Sequence, residues 1–118
     1  MTVGALTTHV LDLGRGRPAA GVAIKLARVD DQQIIEVIEE AVTNAHGRTD
    51  APLATGSDFR AGTYELRFSV GEYVRAAYTS PETFLDIVPV RIDVIDPAPG
   101  FHVPLLVTPW SYSVYRGS

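Results

Sequence analysis

From Thr63 to Val70, apolar side chains take every second position. Tyr64, Leu66, Phe68 and Val70 share one face, and Thr63, Glu65, Arg67 and Ser69 share the other. A period of two marks a half-buried strand. Val88, Val90, Ile92 and Val94 alternate in the same way with Pro89, Arg91 and Asp93. Val22, Ile24 and Leu26 alternate with Ala23, Lys25 and Ala27, and Val103, Leu105 and Val107 with His102, Pro104, Leu106 and Thr108. Near the start, Leu6 and Val10 point one way and His9 and Leu11 the other. Residues 111–116 read as a final strand. Gln33 to Val42 is ambiguous: Ile34, Ile38 and Val42 could line a helix, but β-branched residues dominate, so a strand is expected. One short helix is expected over Gly71 to Tyr78, ended before Pro81. Glycine and proline punctuate the chain at short intervals, from Gly14-Arg15-Gly16-Arg17-Pro18 to Pro97-Ala98-Pro99-Gly100. The pattern predicts an all-β sandwich of two four-stranded sheets with one short helix.

Composition narrows the class. The chain has 118 residues, enough for one domain over 1–118 with one core. Apolar residues make up 46% and charged residues 20%, a globular balance. The formal net charge is −4 and the basic residues are scattered, which argues against nucleic acid or an anionic membrane as partner. The absence of cysteine excludes disulfides, thiolate metal sites and cysteine nucleophiles. The opening residues show neither a basic segment nor a long apolar one, so a cytoplasmic protein without a membrane span is the expectation.

Three histidines can then be weighed one by one. His9 and His102 lie on different strands, each on the face turned away from the core. Taken alone, either reads as a solvent-facing residue. Leu11 beside His9, and Pro104 and Leu106 beside His102, make those outer faces partly apolar, as at a subunit interface or cleft. There an imidazole can serve as acid or base. His46 sits in the turn Asn44-Ala45-His46-Gly47-Arg48 and has no assigned role. No two histidines have a short ligand spacing, so no metal site is expected. Arg48 reads either as a solvated charge or as a planar fork for an oxygen-rich heterocycle. The last residues, Tyr115-Arg116-Gly117-Ser118, read by periodicity alone as a frayed end.

Several of these stretches together resemble the 5-hydroxyisourate hydrolases, relatives of transthyretin. They are Leu6-Thr7-Thr8-His9-Val10-Leu11-Asp12, Gly16-Arg17-Pro18-Ala19-Ala20-Gly21, Thr43-Asn44 with Gly47-Arg48-Thr49-Asp50, Phe101-His102-Val103-Pro104-Leu105-Leu106, and Pro109-Trp110-Ser111-Tyr112-Ser113 followed by Tyr115-Arg116-Gly117-Ser118. The resemblance runs in order from Leu6 to Ser118. His46 departs from it, since an acidic residue is common before the Gly-Arg pair. The resemblance implies a transthyretin-like sandwich, a homotetramer built as a dimer of dimers, and active sites in clefts where dimers meet. It implies ring opening of 5-hydroxyisourate by water with no cofactor, towards allantoin. His9 and His102 would share water activation and proton transfer, with Arg48 and Ser118 also catalytic. Arg48, Tyr115, Arg116 and Gly117 would bind substrate. Two other readings stay open: a carrier of small aromatic ligands, as transthyretin is, and a plain interaction domain with incidental surface histidines.

Overall fold

The computed structural model describes residues 4–79 and 82–118; Pro81, the expected limit of the helix, lies outside them. In chain order the elements are β1 (Ala5–Asp12), β2 (Arg17–Pro18), β3 (Ala23–Asp30), β4 (Gln33–Val42), β5 (Ala54–Thr55), β6 (Gly62–Ser69), α1 (Val70–Ala77), β7 (Ile87–Val94), β8 (Phe101–Val107) and β9 (Tyr112–Val114). One sheet runs β4-β3-β6-β7. The other runs β2-β1-β8-β9, with β5 also paired to β1. Each row has four strands, the expected number, but β2 falls in the Gly14–Pro18 stretch read as punctuation, and both it and the off-row β5 are two-residue strands that no periodicity announced. The expected helix lies one residue earlier than read, and the last strand is shorter, Tyr112–Val114 within 111–116.

The two sheets bury their alternating apolar faces against each other. Leu6 and Val10 of β1 meet Ile24 and Leu26 of β3, Leu66 and Phe68 of β6, and Val103 and Leu105 of β8, none more than 4% exposed. Each such side chain contributes on the order of 1.5–3 kcal/mol on burial. Gln33 to Val42 is a strand, as β-branching argued, but it is an edge strand. Only Ile38 and Ala41 of it pack against the core, and two register shifts against β3, at Ile38 and Ile35, break its period of two. Asp31 and Gln32 join β3 to β4 with φ of 48° and 67°. A two-residue turn with both φ positive suits the twist of a hairpin.

The pairing that builds the functional face is β1 with β8, the one parallel pairing among the described strands. Its register sets Thr7 opposite His102, His9 opposite Pro104 and Leu11 opposite Leu106. Side chains at matched register share a face. Thr7, His9 and Leu11 thus stand beside His102, Pro104 and Leu106 on the outer face of the sheet.

On its other side β8 pairs with β9 through Leu105, Leu106 and Val107 only. The main-chain groups of even-numbered residues face that side: Thr108 N–H donates to the Ser111 carbonyl at 2.9 Å, and the His102 carbonyl accepts from Gly117 N–H at 2.7 Å. Pro104 lies between them and has no N–H to give. The ladder lapses there. The chain leaves β9 after Val114 and returns at Gly117.

Candidate active site

His9 and Arg48 are held together by a self-bonded loop. The Asn44 side-chain oxygen accepts from the N–H groups of His46 (2.9 Å) and Arg48 (3.3 Å), and its amide nitrogen donates to Asp50 (3.0 Å). Asn44 N–H donates to the Arg48 carbonyl at 2.8 Å, and Gly47 N–H to the Asn44 carbonyl at 2.9 Å. Asparagine is favoured here because its short side chain mimics a turn of backbone. Val10 N–H clips this loop to β1 through the Gly47 carbonyl at 2.8 Å, and Arg48 bridges to His9. Gly47 has φ 75°, and a Cβ there would stand 2.3 Å from the Val10 carbonyl oxygen and 3.2 Å from the His9 ring. Only glycine allows so close an approach. His9 Nε2 lies 2.8 Å from the His46 carbonyl. A carbonyl only accepts, so Nε2 carries the hydrogen.

His102 is held from two other directions. Its Nδ1 lies 2.8 Å from Thr7 Oγ1. Its ring packs on Gly117, where a Cβ would come within 2.6 Å of Cδ2. The returning chain end therefore needs glycine at 117 for a steric reason. Burial holds the His102 imidazole below the ordinary histidine value of 6.5, helped by the positive charge of Arg48 and then by His9. The neutral ring is favoured, as a proton acceptor requires.

His9, Arg48, Asn44 and Asp50 line a hollow of about 560 Å³. Thr7, His102, Gly117 and Ser118 line another of about 270 Å³. Both open on the outer face of the β1–β8 pair. A larger hollow of about 630 Å³, between α1 and the Arg15–Pro18 turn, contains no histidine. Cavity size does not locate the imidazoles in this chain.

Of the residues singled out from the sequence, the structure brings His9, Arg48, His102, Gly117 and Ser118 to one face. It does not bring Tyr115 and Arg116 there within a single chain. The Arg116 guanidinium stacks 4.0 Å from the centre of the Phe101 ring, on the inner side of β8, and reaches the Gly100 carbonyl at 3.5 Å. Tyr115 lines a hollow with Arg116, Phe101 and Ile92, between the open edges of the two sheets. Arg116 takes the inner face by simple alternation, since the register of Leu105 with Val114 and of His102 with Gly117 sets it opposite Val103. His46, left without a role, supplies the carbonyl that holds His9. Thr7, Asn44 and Gly47 lay within the quoted motifs but carried no assigned role. The period of two already put Thr7 on the face of His9; nothing local could pair it with His102, 95 positions away. Among the described residues, no group of three His, Cys, Asp or Glu side chains could hold a metal ion, and no helix is long and apolar enough to cross a membrane.

Comparison with known proteins places this architecture. The family model described as HIUase/Transthyretin matches residues 6–117. A 5-hydroxyisourate hydrolase of Deinococcus radiodurans is 52% identical over 114 residues, covering 96% of this chain and 95% of that protein. Among solved structures, an (S)-allantoin synthase superposes with a TM-score of 0.90 at 43% identity; the match covers 99% of this chain but 44% of that longer one. Sea bream transthyretin, solved in complex with thyroxine, gives a TM-score of 0.84 at 28% identity, covering 96% of this chain and 94% of that one. With the sandwich, the paired histidines and the Gly47-Arg48 loop in place, the chain belongs to the HIUase/Transthyretin family.

Proposed function

We propose that this chain is a single-domain hydrolase of 5-hydroxyisourate that opens the six-membered ring on the path from urate towards allantoin. The observation that carries the reading is the outer face of the β1–β8 pair, where two imidazoles and one guanidinium stand in mutual electrostatic reach. The hydrolase relative at 52% identity supports it. In the reaction, a water oxygen bonds to a ring carbonyl carbon while an imidazole takes its proton. Arg48 faces the oxyanion that forms and stabilises it. The C–N bond then breaks, and the proton returns to the leaving ring nitrogen. Ser118, beside His102, completes the smaller hollow. The product is 2-oxo-4-hydroxy-4-carboxy-5-ureidoimidazoline.

The same proposal includes a homotetramer, a dimer of dimers. β7 and β9 each end a sheet, so their outer main-chain edges have no neighbour among the described strands. Those edges carry exposed apolar residues: Ile87, Tyr112, Val114 and the adjoining Tyr115. Open apolar edges favour pairing with a second copy. The histidine face, with Leu11 and Leu106, offers a second interface between such dimers. There Tyr115 and Arg116 of one copy would contribute to a site they do not reach in their own.

The deciding experiment forms 5-hydroxyisourate in situ with urate oxidase and follows its ultraviolet absorbance. Catalysed decay is expected, and decay no faster than in buffer refutes the reading. The likeness to a thyroxine-bound transthyretin favours carriage as the second reading. A carrier would bind ligand and leave the decay unchanged.

A further inference from the structure

The two histidines are not equivalent in how their nitrogens are engaged. His9 presents Nε2 to the His46 carbonyl at 2.8 Å, so that nitrogen is a donor and any proton His9 accepts must go to Nδ1. His102 presents Nδ1 to a hydroxyl, Thr7 Oγ1, at 2.8 Å. A hydroxyl both accepts and donates, so it can follow a ring through a change of charge. Among the described residues, His102 Nε2 has no hydrogen-bond partner.

We propose that Thr7 is a positioning residue for His102: its hydroxyl accepts from Nδ1–H, holds the ring in the tautomer with its lone pair on Nε2, and thereby fits His102 to take a proton from water at that nitrogen. The nitrogen that is protonated is set by the bond the other nitrogen makes. When water attacks, its proton passes to Nε2 and the ring becomes a cation, with Nδ1–H still donating to Thr7. When the C–N bond breaks, Nε2 returns the proton to the departing nitrogen and the neutral tautomer is restored. Thr7 is suited to this by its place in the parallel register directly opposite His102. A β-branched side chain has few rotamers on a strand, so its oxygen is fixed in direction. Gly117 supports the same ring from its other side, at a distance no alanine would permit.

This inference rests on the hydrolase reading, but its test separates the two. The full chain is labelled with nitrogen-15 histidine, and the ring nitrogens are read by NMR above the His102 titration, with no substrate present. Wild type is expected to show His102 mainly as the Nδ1–H tautomer. Thr7→Val keeps the branched shape without the hydroxyl and is expected to show a mixture, while Thr7→Ser restores the single form. In parallel, Thr7→Val is expected to lower kcat about five- to tenfold, the worth of one hydrogen bond, with KM little changed, and Thr7→Ser to recover most of it. A wild-type His102 protonated mainly on Nε2 overturns the proposal, and so does a Thr7→Val protein with undiminished kcat. If wild type fails to hydrolyse 5-hydroxyisourate at all, the functional reading falls. The wild-type spectrum still decides what Thr7 does to the ring, and it needs no variant to fold.

Discussion

At the scale of single residues, the site is a set of side chains each held by something small. Gly117→Ala would drive a methyl group into the His102 ring, which must then move. Displacements of this size cost up to on the order of 10²-fold in rate. A loss of kcat with an unchanged melting temperature is expected, and wild-type turnover would show that the ring has room. Arg48→Gln tests the charge. Burial is the larger cause of the lowered His102 value and Arg48 the next. Without the guanidinium, the imidazole should titrate closer to 6.5. Its neutral form would then disappear at a higher pH, so the acid limb of the kcat profile should move up the pH scale. The same variant should lose about 10²-fold in rate and bind substrate less tightly. An acid limb left in place would show that Arg48 does not act on His102. His9→Asn and His102→Asn should each lower turnover about 10²–10⁴-fold, and the double variant little more than the worse single one. Multiplying losses in folded proteins would mean that the two act independently.

At the scale of elements, the helix is tied to the first strand by a buried carboxylate. Asp12 is 1% exposed at the end of β1. It accepts from Tyr73 Oη at 2.6 Å, Tyr78 Oη at 2.7 Å and Arg15 N–H at 3.1 Å. Tyr73 lies in α1 and Tyr78 directly follows it, so two bonds fasten the helix to the sheet that carries His9, and the third ties in the turn after β1. Burial first, and the bonds to Asp12 next, push both phenols up to about 12. An unfolded tyrosine ionises near ~10. Between the two values the folded chain keeps protons that the unfolded chain has lost, so this contribution to stability declines as pH rises through that window. Tyr73→Phe leaves Asp12 short of a donor and should cost about 1–3 kcal/mol, read by urea denaturation, with kcat nearly unchanged. A large loss of kcat at full stability would make this network part of the site. The helix and most of the strands were legible from periodicity. The tie between them was not, because Asp12 sits at an inward position where a carboxylate looks out of place until its donors are seen.

At the scale of the whole molecule, one sandwich has more open surface than its chemistry needs. Light scattering at micromolar concentration should report about four chain masses if the free edges of β7 and β9 and the histidine face are both interfaces. Each interface of ordinary stability buries roughly 1,200–2,000 Å². A fully active monomer would refute the shared cleft. Tyr115 and Arg116 make the test pointed. Within one chain Arg116 is occupied with Phe101, so a role for either residue in the site depends on the neighbouring copy.

The sequence by itself determined which residues face inward in the strands that alternate without a break, such as Thr63 to Val70 and Val88 to Val94, because there a period of two assigns the faces locally. It also determined that His9 and His102 face outward beside apolar neighbours, that Gly47 and Arg48 fall in a turn, and, through the motif order from Leu6 to Ser118, which family the chain resembles. Only the tertiary structure decided that β1 and β8 are parallel partners, because pairing between strands 95 positions apart in sequence leaves no local trace. It also decided that Thr7 meets His102, that the His46 carbonyl takes His9, and that the chain end sets Arg116 on Phe101 and Gly117 on His102. Register settled the meeting of Thr7 with His102, and the packing of the Asn44–Arg48 loop on β1 settled that of His46 with His9. Both arise between segments brought side by side, and neither segment specifies them alone.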